Sequence, residues 1–396
     1  MQIAIVGGGI IGLATAYKAQ IKYPDAKIIL FEKENEVGMH QSSRNSGVLH
    51  CGLYYKPGSL KAKLAVDGIR QMTKFCIDHN LPHDICGKIV VATDDREVSL
   101  MHDLAKRGEE NGLSGLKILD KGQALKREPY VNAKEALLVP QEGIVDYKEV
   151  MDKLAYLIKS KDGFIKTGAK ILSSAVKNNV VLLKTEEGDF EFDHIYYCTG
   201  LYSDRVYEKV TGKVSPIKII PFRGDYYKIK SQRDELVNHL IYPVPDPKYP
   251  FLGVHFTRLI KGGREVGPNA VLAFMREGYN FTDFSLKDAL DTLTYGGFQK
   301  FIVNNFSFTF SELISSLSKS KFLAKAKKLV PDVELNDLEK GTAGVRAQAI
   351  DRSGKLVMDF IIEKRGRETF LLNAPSPGAT ASLAIADYLL ESNFDN

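Results

Sequence analysis

Apolar and polar positions switch between two periods along this chain, and the switches mark its elements. Ile3-Ala4-Ile5-Val6 is a short unbroken apolar run, the pattern of a strand covered on both faces. Leu13, Ala14, Ala16, Tyr17 and Ala19 follow at helical spacing, and a second apolar run, Ile28-Ile29-Leu30-Phe31, comes next. Ser59 then reads as the N-cap of a helix carrying Leu60, Leu64, Ile69, Met72 and Phe75 on its apolar face. Residues 88–93 are a buried strand, 97–111 a helix closed by Gly112, and 122–128 a short helix that stops before Pro129. A strand at 136–139, a helix at 147–159 and strands near 164–167, 170–174, 180–185 and 191–198 continue the series.

From Ile217 the texture becomes aromatic and strand-rich, with alternation that predicts a mostly antiparallel sheet. Residues 298–330 read as mostly helical, with Lys319, Lys321, Lys325, Lys327 and Lys328 opposite an apolar face of Phe322, Leu323, Ala326 and Leu329. Such a helix can lie on an anionic membrane, but a solvated lysine face on a packed helix is the plainer reading. A hairpin through 351–354, a strand at 369–373 and a helix to the C-terminus close the chain. The small residues 374–380 open that last helix and form an anion or carbonyl site, so both ends of the chain build one nucleotide domain.

Composition narrows the class. At 396 residues, 44% apolar and 26% charged, the chain is a soluble globular protein of about two domains. A net charge of +5 does not suggest nucleic acid as a partner. Four scattered cysteines give no disulfide framework, and the eight histidines show no metal-type spacing, so no metal is expected. Nothing reaches the length of a membrane span, and the expected location is the cytoplasm, peripheral at most on the inner face of the cell membrane.

The chemistry begins in the first turn. Gly7, Gly9 and Gly12 stand at G-x-G-x-x-G spacing between strand and helix, and Glu32 lies twenty residues beyond Gly12 at the end of the second strand. The glycines allow a tight turn, backbone approach to a pyrophosphate, and close helix packing. Glu32 can accept hydrogen bonds from ribose hydroxyls. This predicts a dinucleotide and leaves NAD and FAD both open. Residues 38–52, rich in Ser, Asn and Gly, form an ordered loop able to line a phosphate or a ring. Thr199-Gly200-Leu201-Tyr202-Ser203-Asp204 resembles a second flavin fingerprint, with a strand-to-helix turn capped by Ser203 or Asp204 as the equal alternative.

Longer motifs are more specific. They are N-S-G-V-L-H-C-G-L-Y-Y-K-P-G-S-L-K-A-K-L (45–64), P-F-R-G-D-Y (221–226), I-Y-P-V-P-D (241–246) and F-L-G-V-H-F-T (251–257). With them stand G-P-N-A-V-L-A-F (267–274), R-E-G-Y (276–279), G-V-R-A-Q-A-I-D-R (344–352) and N-A-P-S-P-G-A-T (373–380). Together these resemble the L-2-hydroxyglutarate dehydrogenase family, D-amino-acid-oxidase-like FAD oxidoreductases, from the first strand to the last helix.

The resemblance implies an α/β fold, α+β overall. A Rossmann-like FAD-binding domain would be assembled from residues 1–80, 143–215 and 340–396. A substrate domain with a large, mostly antiparallel sheet would take 81–142 and 216–339. FAD would be held by Gly7, Gly9, Gly12 and Glu32, by Ser43, Arg44, Asn45, Ser46 and Gly47, and by Thr199, Gly200 and Asp204. Arg346 and the run Ser376, Pro377, Gly378, Ala379 and Thr380 complete the set. The implied reaction oxidises L-2-hydroxyglutarate to 2-oxoglutarate, with electrons passed to a quinone or to oxygen. A base titrating near neutrality points to histidine, with His255 first and His50 second. The dianionic substrate calls for cationic clamps, Arg346 and Arg223, with Arg276 and Lys56 in reserve. Two other readings compete: a flavin amine oxidase of the same fold acting on glycine- or sarcosine-like substrates, and a non-catalytic regulatory protein using the FAD fold as a scaffold.

Overall fold

The computed structural model describes residues 1–246, 253–305 and 318–391. Its first sheet has six strands in the order Ile361–Arg365, Glu368–Asn373, His194–Tyr197, Gln2–Val6, Lys27–Phe31 and Phe164–Lys166. All neighbours are parallel except the first pair. The central strand Gln2–Val6 is apolar from Ile3 to Val6 because both of its faces are covered there. Ile3 and Ile5 pack on the helix side with Leu13, Leu154 and Ile385, whereas Ala4 and Val6 pack against Val181, Leu183 and Phe192. Those last three come from a small antiparallel sheet of Ile171–Lys177, Val180–Thr185 and Gly188–Phe192. Ile3 and Ile5 are fully buried, each worth about 1.5–3 kcal/mol of transfer free energy.

One predicted strand is two. The run 191–198 breaks at Asp193, so that Gly188–Phe192 ends the small sheet and His194–Tyr197 enters the parallel one. Asp193 is the pin: its carboxylate accepts from the Gln2 N–H at 2.7 Å, and its own N–H donates to the Gln2 carbonyl at 2.8 Å.

The large sheet has nine strands and is antiparallel apart from the contact between Leu240–Pro243 and Lys88–Ala92. Ile217–Ile229 and Leu338–Asp351 pair along nearly their whole length. The segment from 340 to 351, assigned from sequence to the nucleotide part, is therefore a member of the large sheet. Gly344 explains how this strand also reaches the other domain: a Cβ there would lie 2.3 Å from the Arg44 carbonyl oxygen.

The basic helix, Lys319–Lys327, is capped by Ser318 and buries Phe322 and Ala326 against Ile89, Phe256 and Val266. Lys319 donates to the Leu335 and Leu338 carbonyls, Lys327 pairs with Glu334 at 2.8 Å, and Lys328 pairs with Glu97. Lys319, Lys327 and the C-cap Lys328 are thus tied into the fold. Residues 306–317 of the predicted helical stretch, 251–252 of the motif 251–257, and the end of the terminal helix at 392–396 lie outside the described residues. No helix among the described residues is long and apolar enough to cross a membrane.

Candidate active site

A cavity of about 1240 Å³ runs between the parallel sheet and the large sheet. At one end it is floored by the glycine turn. Gly7 has φ +108°, and a Cβ on it would stand 2.3 Å from the Cys198 carbonyl oxygen. A Cβ on Gly12 would stand 1.8 Å from the Gly7 carbonyl oxygen, so Gly12 sets the distance between helix and strand and does not itself line the cavity. The helix Ile10–Lys22 begins at Gly9, which has no side chain to cap it, and Ile10 N–H donates to Ser42 Oγ at 3.0 Å. Ile10 and Ile11 of that first turn line the cavity, at the end of a helix where N–H groups lack intrahelical acceptors. Glu32 lines the same end, its two carboxylate oxygens accepting from Gly8 N–H at 2.6 Å and Glu34 N–H at 2.8 Å.

The loop behind it departs from expectation in detail. Ser42, Arg44, Asn45 and Ser46 line the cavity, but Ser43 does not: its hydroxyl turns away and donates to the Gly38 carbonyl at 2.6 Å. Gly47 is also outside the lining; with φ +67° it brings the chain so close to the Val145 carbonyl that a Cβ would meet it at 2.7 Å. Arg44 lays its guanidinium 3.7 Å from the centre of the Tyr279 ring. Thr199 and Gly200 line the cavity, whereas Asp204 is buried behind it, 2.5 Å and 2.8 Å from the Arg276 guanidinium. Asp204 is not a helix cap either, and Ser203 spends its hydroxyl on the Leu372 carbonyl. Ser376, Pro377, Gly378, Ala379 and Thr380 all line the cavity. Thr380 Oγ1 lies 2.6 Å from the Tyr147 hydroxyl and accepts from His50 N–H at 3.2 Å, tying the C-terminal segment to the loop.

Both candidate histidines line the cavity and both contact Tyr242. His255 stacks on the Tyr242 ring with centroids 4.0 Å apart, and His50 meets it edge-on at 6.1 Å. His255 is 6% exposed and its Nδ1 is 3.0 Å from the Gly253 carbonyl, an acceptor only, so Nδ1 carries the proton and Nε2 is left with a lone pair. Burial, with Arg346, His50 and Lys88 nearby, pushes its pKa down to about 3. His50 has a carboxylate behind it instead: Nδ1 is 3.3 Å from Glu142 Oε2.

The cations divide sharply. Arg346 lines the cavity and is hydrogen-bonded to the Tyr226 side chain. Arg223 does not line it; the guanidinium is taken by Asp225 at 2.9 Å and by the Asn280 carbonyl at 2.8 Å. Arg276 is consumed by Asp204, and exposed Lys56 stands outside the lining. Sequence reading passed over Lys61, which is buried, lines the cavity 4.4 Å from the centre of the Tyr55 ring, and forms no ion pair among the described residues. Burial lowers its pKa to about 8 against the opposing field of Asp359. Also unforeseen is a cluster of Glu34, His40 and Glu277 whose ligand-type atoms lie within 4.8 Å of one another. Lys33 already bridges its two carboxylates, 2.8 Å from Glu277, so the cluster holds its own cation.

A profile of the FAD dependent oxidoreductase family matches residues 2–392. The chain belongs to that family. It is 46% identical over 390 residues to L-2-hydroxyglutarate dehydrogenase of Indibacter alkaliphilus, an alignment covering 98% of each chain. It is 41% identical over 387 residues to the enzyme of that name from Escherichia coli, covering 98% of this chain and 91% of that one. With the mitochondrial L-2-hydroxyglutarate dehydrogenase of Homo sapiens it shares 37% over 406 residues, covering 98% and 88%. Among solved structures, FAD-bound L-alpha-glycerophosphate oxidase from Mycoplasma pneumoniae superposes with a TM-score of 0.80 at 23% identity, covering 98% and 94%. Glycine oxidase from Geobacillus kaustophilus gives 0.73 at 18%, covering 99% and 95%. The protein is an FAD-dependent enzyme. The Cβ-free cradle at Gly7 and Gly9, the uncapped helix end and the Glu32 carboxylate at the cavity wall fit the phosphates and ribose of that cofactor.

Proposed function

We propose that the enzyme oxidises L-2-hydroxyglutarate to 2-oxoglutarate. The observation that carries the reading is a pair of cavity-lining cations, Arg346 and Lys61, that form no ion pair among the described residues. Lys61 is buried and Arg346 half-buried; a cation drawn out of water without an ion-pair partner is costly, so two of them in one cavity suit a ligand that brings two carboxylates. The names of the near full-length relatives support the same substrate. Bound FAD would supply the acceptor for the hydride of the α-carbon.

The chain's own part is to orient the dianion and remove the hydroxyl proton. His50 is the better base of the two histidines. The Glu142 carboxylate stands on the Nδ1 side of the His50 ring, where it can orient the imidazole toward the cavity, whereas His255 is buried among cations that oppose protonation. His255, held neutral with Nε2 open, serves to accept a hydrogen bond and orient the substrate.

The test is anaerobic mixing of the purified yellow protein with candidate substrates. Bleaching of the flavin by L-2-hydroxyglutarate is expected. Bleaching by glycine or sarcosine alone, or by none of them, overturns the proposal. Turnover with a soluble quinone compared with turnover in oxygen then identifies the electron acceptor.

A further inference from the structure

Beneath Tyr242 lies an ion pair with no place in the substrate contacts above. Lys88 and Glu142 are both 0% exposed and 2.8 Å apart. Neither lines the cavity. The Lys88 ammonium faces the rings of Tyr54 at 4.5 Å and Tyr242 at 4.8 Å. Burial pushes the Glu142 carboxyl up, but Lys88 and His50 outweigh it and hold the group well below the usual carboxylate range.

The fold delivers these residues by register. Leu49 pairs with Gly143 in an antiparallel bridge, so His50, just after one strand, meets Glu142, just before the other. Lys88 opens the buried strand Lys88–Ala92 alongside. The carboxylate is then divided. Oε1 accepts from Cys51 N–H at 3.2 Å and from its Sγ at 3.3 Å, and Oε2 faces Lys88 and His50 Nδ1.

From this geometry we propose that Lys88 and Glu142 are positioning residues that fix His50 as the Nδ1–H tautomer, with Nε2 presented to the cavity as the proton acceptor. This rests on the reading of His50 as the base. An ionised carboxylate can only accept, so the proton between it and the ring belongs to Nδ1. Lys88 supplies the compensating charge that keeps a fully buried Glu142 ionised, and hence an acceptor. Without Lys88 the carboxyl would be free to take up a proton and become a donor.

The proposal separates position from chemistry by experiment. Nitrogen-15 spectra of the FAD-loaded protein labelled at histidine, with His50→Gln assigning the resonance, are expected to show His50 protonated at Nδ1 and bare at Nε2. The opposite tautomer in the wild-type protein overturns the proposal, and this readout needs neither substrate nor turnover. In the double variant Lys88→Met/Glu142→Gln the buried charges leave together. The amide oxygen stays on Cys51 N–H, and the amide NH₂ turns to His50 Nδ1, forcing the proton to Nε2. The tautomer is expected to invert, and the rate of flavin reduction by L-2-hydroxyglutarate to fall by about 10²- to 10⁴-fold, with FAD content and substrate affinity retained. A double variant that keeps FAD and reduces it within threefold of the wild-type rate sinks the idea. Should the wild-type flavin resist L-2-hydroxyglutarate altogether, the substrate assignment fails while the wild-type spectrum still decides the tautomer.

Discussion

Asp204→Asn distinguishes a cofactor ligand from a structural anchor. Arg276 is 2% exposed, and its guanidinium makes two contacts with Asp204, at 2.5 Å and 2.8 Å, and one with the Leu201 carbonyl at 2.5 Å. Asp204 also accepts from Ile219 N–H at 3.0 Å and Arg205 N–H at 2.8 Å. Removing one charge of a buried pair costs about 3–5 kcal/mol because the other is left uncompensated. Asp291, 3.4 Å from Arg276, softens the loss, which puts the expected cost near the lower figure, about 3 kcal/mol. An unfolding entropy of about 2.1 cal/mol/K per residue over 396 residues is roughly 0.8 kcal/mol/K, so the melting temperature should fall by about 4 °C. Calorimetry of the FAD-free protein measures that shift, and quenching of flavin fluorescence measures the dissociation constant. The structural reading expects the melting drop with FAD affinity changed less than about threefold. Loss of a charged hydrogen bond to a ligand would instead weaken FAD by about 10- to 100-fold. A variant that melts like the wild type but binds FAD more than tenfold more weakly would refute the assignment.

Other outcomes follow from the same geometry. Gly12→Ala places a Cβ 1.8 Å from a backbone oxygen that cannot yield, so the variant should purify without flavin absorbance, if it folds at all; a yellow, stable Gly12→Ala protein contradicts the packing. His194 is buried, and burial aided by Arg367 and Lys364 lowers its pKa to about 4. The unfolded chain therefore takes a proton at about pH 6.5 that the folded chain refuses until about pH 4. Its contribution is complete above that window and is lost as pH falls through it. His194→Gln should flatten the fall of melting temperature across this range, and an unchanged slope rejects the linkage. Lys61, with its pKa lowered to about 8, should lose its charge as pH rises through that value. KM for a dicarboxylate should then climb with little change in kcat, and Lys61→Met should show the raised KM at every pH; a KM that is flat through this range removes Lys61 from the site.

The parts of the fold that were legible from sequence are those set by neighbours in the chain. Gly7 and Gly12 act within one turn, and the same local spacing that suggested a dinucleotide fixes the close approach seen at both positions. Ser59 accepts from Ala62 N–H, as an N-cap three residues upstream should. The break at Asp193 was not legible, because two short strands that follow one another into different sheets look like a single strand. Only the distant Gln2 backbone explains where it turns. Likewise the stretch 340–351 carries glycines next to the C-terminal motifs, and only its pairing with Ile217–Ile229 assigns it to the large sheet.

The cations of the site show where sequence reasoning stops. Arg223, Arg276, Arg346 and Lys61 all sit in conspicuous motifs, and residue type alone cannot rank them. For Arg223 the answer was present in P-F-R-G-D-Y: residues two apart on a strand share a face, so Asp225 was its natural partner. For Arg276 the partner is 72 residues away and only the fold supplies it. Burial of charge gives the sorting rule: a cation the protein has already matched with its own carboxylate holds structure together, and one left unmatched at a cavity wall awaits an anion from outside. Under that rule Arg223 and Arg276 are matched within the fold, and Lys61 and Arg346 are the cavity cations proposed to hold the substrate. Lys88 falls on the structural side as well, since Glu142 matches it, yet the oxygen it holds is also the one facing His50. On the proposed reading, a residue stays out of the cavity and still determines which nitrogen of His50 faces it.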